Sequence, residues 1–311
     1  MDIGVLVVRI ILLFIMIIPG FILRKKDMLN GEISKGLSNL VLYAAQPAMI
    51  IASFLREFDS SILYNMLGVF IFGIITNGIN CVAVLFMFKK APEQKARVLR
   101  FATAFSNSLF MGLPLVIGVF GPTAAIYAAI YSIGFNIFVW SMGCMFYTGD
   151  KRYISPKKMF LNPATIAAAI GLVLFLSGAE KYVPGVIGES MSMLSNLVAP
   201  LSMIVIGIRI AEVEVKTAFK DKYLYLFSAL RLFGGPIIAF LFLKIAEWLF
   251  GYSNQMVSFI IIILTATPTA TMTTMFAEKF DGDAVYSSKC VAINTIFSLA
   301  TMPLMALLTL I

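Results

Sequence analysis

Ten apolar runs of about twenty residues or more follow one another along the 311-residue chain, with only short polar connections between them. A helix needs about 20 predominantly apolar residues to cross the hydrocarbon core of a bilayer. Only 13% of the residues are charged, whereas soluble domains average about 25%. We therefore predict an all-α polytopic membrane protein with about ten transmembrane helices. The runs are 3–23, 33–55, 61–88, 98–120, 122–148, 162–179, 186–210, 221–250, 255–277 and 284–310.

Lysine and arginine residues alternate between these connections. Counted together with the adjoining ends of the runs, the odd-numbered connections hold 18 of the 24 cations and the even-numbered ones hold three, and the other three are assigned to the runs themselves. Since cytoplasmic loops carry the excess of basic residues, we predict that the odd connections are cytoplasmic and that both termini lie outside. We predict that the protein lies in the plasma (inner) membrane. The net charge of +8 then reflects the basic residues of the cytoplasmic connections, and no nucleic-acid partner is expected.

The sequence contains no histidine, which excludes histidine-based catalytic triads and histidine-ligated metal sites. Cys81, Cys144 and Cys290 lie singly in apolar runs, without the spacing of a disulfide framework or a metal site, and are predicted to be small buried hydrophobes. A phosphate-binding loop motif is also absent. We expect no enzyme activity, no cofactor and no metal, and no ATP-driven pumping by this chain.

Proline positions recur between the two halves of the sequence. Pro47 and Pro200 are 153 residues apart, and Pro114 and Pro268 are 154 apart. We interpret this spacing as an internal repeat, although spans of similar length also place some prolines alike. The predicted units are a first five-helix repeat at 1–148, a short cytoplasmic linker at 149–161, and a second repeat at 162–311.

Five spans in each half would make the second repeat enter the membrane from the opposite face. Inverted repeats are typical of secondary transporters, in which the substrate lies near the midplane where discontinuous helices meet. A repeat of this kind therefore favours a transporter.

The fourth and ninth spans each carry small, polar and helix-breaking residues at mid-depth, in Phe105–Pro114 and Thr265–Thr271. A proline within a helix costs about 3 kcal/mol, and hydrocarbon offers no partner for the freed backbone groups. A simple kink is the alternative, and we prefer it for Pro47 and Pro200. The matched positions of Pro114 and Pro268 instead favour a binding site. Two half-helix N-termini directed at the midplane would suit a carboxylate.

Three short motifs resemble the auxin efflux carrier family: Asn107–Pro114 (Asn-x-x-x-x-Gly-x-Pro), Asn136–Gly143, and Asn162-Pro163 at the start of the second half. The resemblance covers nearly the whole chain. It implies two inverted repeats of five helices, with the fourth and ninth helices crossing at their prolines. It further implies a scaffold of spans one, two, six and seven, and an elevator-like motion of the rest. The family includes plant auxin carriers and bacterial organic-acid transporters, and it shares a superfamily with bile-acid-type symporters.

The predicted substrate-binding residues lie at the two breaks and in neighbouring spans. They are Ser106, Asn107, Gly112, Pro114, Asn136, Thr265, Thr267, Pro268, Thr269 and Asn294. For Asn136 and Asn294, contact with a ligand and helix-to-helix hydrogen bonding are equally open, while Asn77 and Asn80 are expected to bond between helices. For Arg231 and Lys289 we expect snorkelling to the interface, with an anion-attracting inner vestibule as the alternative.

The sequence predicts a secondary transporter that moves a small organic anion, a carboxylate, outward by alternating access around a Pro114/Pro268 crossover. A sodium- or proton-coupled symporter is the main alternative, although none of the 16 acidic residues lies at the middle of a span. Coupling to a sodium ion that is bound only by carbonyl and hydroxyl oxygens is also an open alternative. A channel would need a continuous polar stripe, and a sensor would need an output domain. The expected partners are the anion and the lipid bilayer, and a homodimer stays open.

Overall fold

The computed structural model describes residues 3–214 and 218–310, and almost all of them are helical. Within these ranges, seven helices are long and apolar enough to cross a membrane, and three shorter helices are also apolar. The predicted fold class, an all-α polytopic membrane protein, is thereby confirmed. Residues 1, 2 and 311 of the two predicted repeats lie outside the described ranges, as does Lys216 of the predicted cytoplasmic connections.

The helices follow the predicted runs closely, except that the fourth and ninth are each broken in two. They are α1 (Gly4–Lys25), α2 (Gly31–Phe54), α3 (Ser60–Leu85), α4a (Glu93–Ala104), α4b (Ser108–Phe120), α5 (Thr123–Thr148), α6 (Pro163–Ser177), α7 (Gly185–Ala211), α8 (Lys222–Phe250), α9a (Gln255–Ala266), α9b (Met272–Lys279) and α10 (Ala284–Thr309). The linker contains the short helix Pro156–Phe160. The division into two inverted repeats stays a prediction.

Asn and Asp side chains fix the starts of six of these twelve helices, because each accepts a hydrogen bond from a backbone N–H of the first turn. The capping residues are Asn30, Asp59, Asn162, Asp221, Asn254 and Asp283. Four helices also contain one widened π-helical turn. These turns are Val41–Ala45 in α2, Ser108–Gly112 in α4b, Val139–Gly143 in α5 and Leu230–Gly234 in α8. Turns of this kind frequently mark functional sites.

Helix α1 packs along α7, and two glycines permit the close approach of the two helices. A Cβ atom on Gly20 would collide with the carbonyl oxygen of Ile204, and one on Gly207 would collide with that of Ile17. Small residues of this kind let membrane helices pack backbone against backbone. Neither glycine position can therefore accept a larger side chain unless the two helices move apart.

The outer surface carries large apolar side chains, such as Val8 on α1, Val173 on α6 and Leu241 on α8, each more than half exposed. That pattern suits a surface that faces lipid. The three cysteines are free and buried, as predicted. Asn77 is also buried, and its amide donates to the carbonyl of Gly73 in its own helix at 2.8 Å. The predicted bond between helices stays a prediction for Asn77.

Candidate functional site

The breaks in the fourth and ninth helices lie against each other near the middle of the fold. The N–H of Asn107 donates to the carbonyl of Pro268 at 2.7 Å, and the N–H of Ala270 donates to the carbonyl of Phe105 at 2.9 Å. Ser106 and Thr269 form an antiparallel bridge between them. Each unwound segment thus satisfies backbone groups of the other that hydrocarbon would leave unpaired.

The two prolines hold different places relative to this crossover. Pro268 lies within the break and accepts one of its hydrogen bonds, whereas Pro114 lies seven residues beyond Asn107, inside α4b. Pro114 follows the widened turn and begins the regular part of the half-helix, a position that proline tolerates well. The centre of the crossover is therefore Ser106–Asn107 against Pro268–Thr269.

A buried arginine from α8 donates hydrogen bonds to the C-terminal ends of α4a and α9a, the first halves of the two broken helices. The guanidinium of Arg231 donates to the carbonyl of Thr103 at the end of α4a at 3.2 Å, and to those of Thr265 and Thr267 at the end of α9a. Helix C-termini leave carbonyls unpaired and carry partial negative charge, so a cation is stabilising there. Only 1% of Arg231 is exposed, and the prediction that it snorkels to the interface is wrong.

Lys289 lies on α10 and is half-buried. Among the described residues, Lys289 does not line the cavity beside the crossover, so this cavity gives no support to its predicted alternative role in an anion-attracting vestibule.

Other polar residues predicted for the site hold the backbone of the α9 break. The side-chain oxygen of Asn294, on α10, accepts the N–H of Thr269 at 2.8 Å. The hydroxyls of Thr265 and Thr267 donate back to carbonyls of α9a, and those of Thr269 and Thr273 lie 3.2 Å apart. These four predicted residues are thus fixed by contacts within the protein, and Asn294 bonds between helices.

A cavity of about 770 Å³ opens beside the crossover. Of the ten predicted site residues, Ser106, Asn107 and Asn136 line it. The other seven are not part of its lining: Gly112, Pro114, Thr265, Thr267, Pro268, Thr269 and Asn294. Gly112 allows α4b to approach α9a, since a Cβ there would lie 2.7 Å from a methyl group of Leu264. The volume lies in the range of about 300–1,000 Å³ that small-molecule sites occupy.

Two amide side chains that line the cavity have buried polar atoms without a hydrogen-bond partner among the described residues. They are the side-chain nitrogen of Asn107 and both polar atoms of Gln46, whose residues are 4% and 1% exposed. The hydroxyl of Ser108, the first residue of α4b, is likewise unpartnered. Leaving such a group unpaired costs about 1–3 kcal/mol. The free N–H groups of the α4b N-terminus add further donors at the same place.

Gln46 was not among the predicted residues. It lies in α2, directly after the widened turn Val41–Ala45, and it lines the same cavity as Ser106 and Asn107 of the α4 break. The available signal was a single glutamine beside Pro47 within an apolar run. Position in the span gave its depth, but not the helix it faces.

Charge in the cavity is of one sign. Lys158, Arg209 and Lys279 line its linker end, and none of the lining residues in the described ranges is acidic. Arg209 also donates to Glu212 at 3.4 Å. A cleft lined by cations with apolar walls concentrates anions. No group of His, Cys, Asp or Glu suited to a metal ion occurs among residues 3–214 and 218–310.

Comparison with known proteins gives a consistent picture. A family model described as "Membrane transport protein" matches residues 5–306. An uncharacterized transporter from Methanothermobacter thermautotrophicus is 26% identical over 295 residues, which cover 93% of this chain and 94% of that protein. An uncharacterized transporter from Methanocaldococcus jannaschii is 23% identical over 304 residues, which cover 95% of this chain and 96% of the relative.

Proposed function

The chain belongs to the auxin efflux carrier-like membrane transport protein family, which makes it a membrane transporter, and we propose that it carries a small organic anion outward without ATP. The observation that carries this proposal is the cavity at the crossover. Unpartnered amides of Asn107 and Gln46 line it, and so do three cations with no acidic residue among the described lining. Such a lining suits a carboxylate.

The carboxylate is proposed to bind between the side-chain nitrogens of Asn107 and Gln46, beside the N-terminus of α4b. A helix N-terminus offers free N–H groups and a positive dipole end, and both favour an anion. Asn136 lines the same wall, and its amide nitrogen already donates to Ser132 of its own helix at 2.8 Å. That bond leaves its side-chain oxygen as an acceptor and its second N–H as a donor for the ligand.

The position of the cavity also supports an elevator-type alternating access. Its lining residues come from α2, α6 and α7, with Gln46, Ala167 and Val205, and from the crossover and α5, with Asn107 and Asn136. A ligand at this boundary would contact both groups of helices. Movement of the crossover group past the other would then carry the ligand through the membrane. The linker side is predicted to be the cytoplasmic side.

Replacing Gln46 with leucine tests the assignment, because it separates binding from stability. We expect the thermal unfolding temperature to stay the same or rise, since an unpartnered buried amide is exchanged for an apolar group. Carboxylate uptake into proteoliposomes should fall about tenfold or more, since a hydrogen bond to a charged group contributes about 1.5–3 kcal/mol and 1.4 kcal/mol is tenfold in affinity. Asn107→Leu should lower uptake similarly.

Asn77→Leu is the matched control, because Asn77 is a buried amide that lies outside the cavity and donates to Gly73. This variant should lose stability and keep its uptake per folded molecule. The site assignment is overturned if Gln46→Leu and Asn107→Leu both transport like the wild type. The proposed function is overturned if the wild-type protein moves no carboxylate in either direction.

A further inference from the structure

Two lysines from different parts of the chain meet at the linker end of the cavity. Lys158 lies on the short linker helix and Lys279 ends α9b. Their ammonium nitrogens lie 4.6 Å and 5.3 Å from the ring centre of Trp140 on α5. Both lysines and Trp140 line the cavity. Cation–π contacts of this length hold the two side chains in place over the indole.

Neither lysine has an acidic partner within 4 Å among the described residues. The nearby Lys279 side chain, followed by burial, lowers the pKa of the Lys158 ammonium. Two like charges held together without a counter-charge repel each other, and an anion between them would remove that repulsion. Arg209 adds a third cation on the α7 side of the cavity.

This cluster lies close to the crossover along α5. Trp140 follows Asn136 by four residues, so the two differ in height by about 6 Å, or one helical turn. Asn136 and the lysine–tryptophan cluster therefore lie about one turn apart along this side of the cavity. A small extended ligand with an anionic group at each end would fit such a spacing.

We propose that Lys158, Lys279 and Trp140 form a second anion site at the linker end of the cavity, which binds a doubly charged oxyanion. If the ligand is the transported substrate, this proposal rests on the proposed function. The transporter is then expected to prefer a dicarboxylate over a monocarboxylate. Inorganic phosphate shares the same chemistry as a free anion.

Binding to the purified full-length protein tests the site, with succinate, inorganic phosphate and butyrate as probes at matched ionic strength and neutral pH. We expect succinate and phosphate to bind at least tenfold more tightly than butyrate. The double variant K158Q/K279Q should lose at least tenfold in affinity for both dianions and little for butyrate. K157Q is the control, since Lys157 lies beside Lys158 in the same helix but does not line the cavity. Unchanged dianion binding in K158Q/K279Q, or no dianion preference in the wild type, overturns the proposal.

Uptake into proteoliposomes separates the two sources of the anion. If K158Q/K279Q loses succinate uptake and keeps butyrate uptake, the site holds the second carboxylate of the substrate. If phosphate binding is lost and succinate uptake persists, the site holds a free anion. Dianion binding without uptake of any carboxylate would support the site and refute the proposed transport function.

Discussion

Replacing Arg231 with glutamine is expected to remove a large part of the protein's stability. The guanidinium bonds the last carbonyls of both α4a and α9a, which are buried and have no water to replace it. Each unpaired buried group costs about 1–3 kcal/mol, so the loss should be on the order of 3–5 kcal/mol. Native proteins are stable by only about 5–15 kcal/mol. Thermal unfolding in detergent should show a lower and broader transition.

Two further variants make this expectation specific. Arg231→Lys keeps the charge but presents a single ammonium instead of a planar fork, so its stability should lie between those of the wild type and Arg231→Gln. Arg152→Gln serves as the control, because the Arg152 side chain is 89% exposed in the linker. It should unfold like the wild type. An Arg231→Gln protein with an unchanged unfolding temperature would show that the half-helix ends do not depend on this residue.

The second large effect is expected from Gly207→Ala, which places one methyl group between α1 and α7. The added carbon would overlap the carbonyl oxygen of Ile17 and come within 2.8 Å of the backbone nitrogen of Phe21. Backbone atoms cannot move aside as a flexible side chain can, so the helices must separate. Overpacking of this kind costs about 1–3 kcal/mol, or more where both helices must shift. The unfolding temperature of the purified protein measures the loss.

Gly36→Ala is the matched control for the glycine effect. A Cβ on Gly36 would meet no atom within 4 Å, and the residue lies within α2. Since alanine is favoured over glycine in a helix by about 1 kcal/mol, this variant should be as stable as the wild type or slightly more stable. Equal unfolding temperatures for Gly207→Ala and the wild type would mean that α1 and α7 are less closely packed than described.

The sequence predicted the fold well because its signals are local. Apolar runs marked the spans, and the structure shows that their starts are also fixed locally, since side chains such as Asn162 and Asn254 accept the first N–H groups. The two breaks were also foreseen, since their Ser, Thr and Pro residues weaken a helix regardless of what surrounds it. The exact position of the break in α4 was harder to predict from the sequence, because a proline such as Pro114 can lie in the first turn of a helix as well as interrupt one.

The site was predicted only in part, because its geometry depends on contacts between distant segments. Asn107 and Asn136 line the cavity as expected, whereas Thr267 and Asn294 hold the backbone of the α9 break. An unwound segment has no helical period, so the sequence could not indicate which of its side chains face the cavity. The position of Arg231 was mispredicted and Gln46 was missed for a related reason. The carbonyls that Arg231 binds lie 34 or more residues away, and Gln46 lines the cavity together with residues of distant helices, so the local sequence indicates neither set of neighbours.

The most direct test of a carrier with its substrate site at the crossover is the accessibility of one cysteine from each side of the membrane. Thr271→Cys places a thiol in the cavity wall, and the three native cysteines are buried and should react slowly. A membrane-impermeant maleimide is applied to inside-out and right-side-out vesicles, with and without a transported carboxylate. We expect labelling from both faces, in proportions that shift in opposite directions when the carboxylate is added at one face. Labelling from one face alone, at a rate that no transported carboxylate changes, would contradict the account.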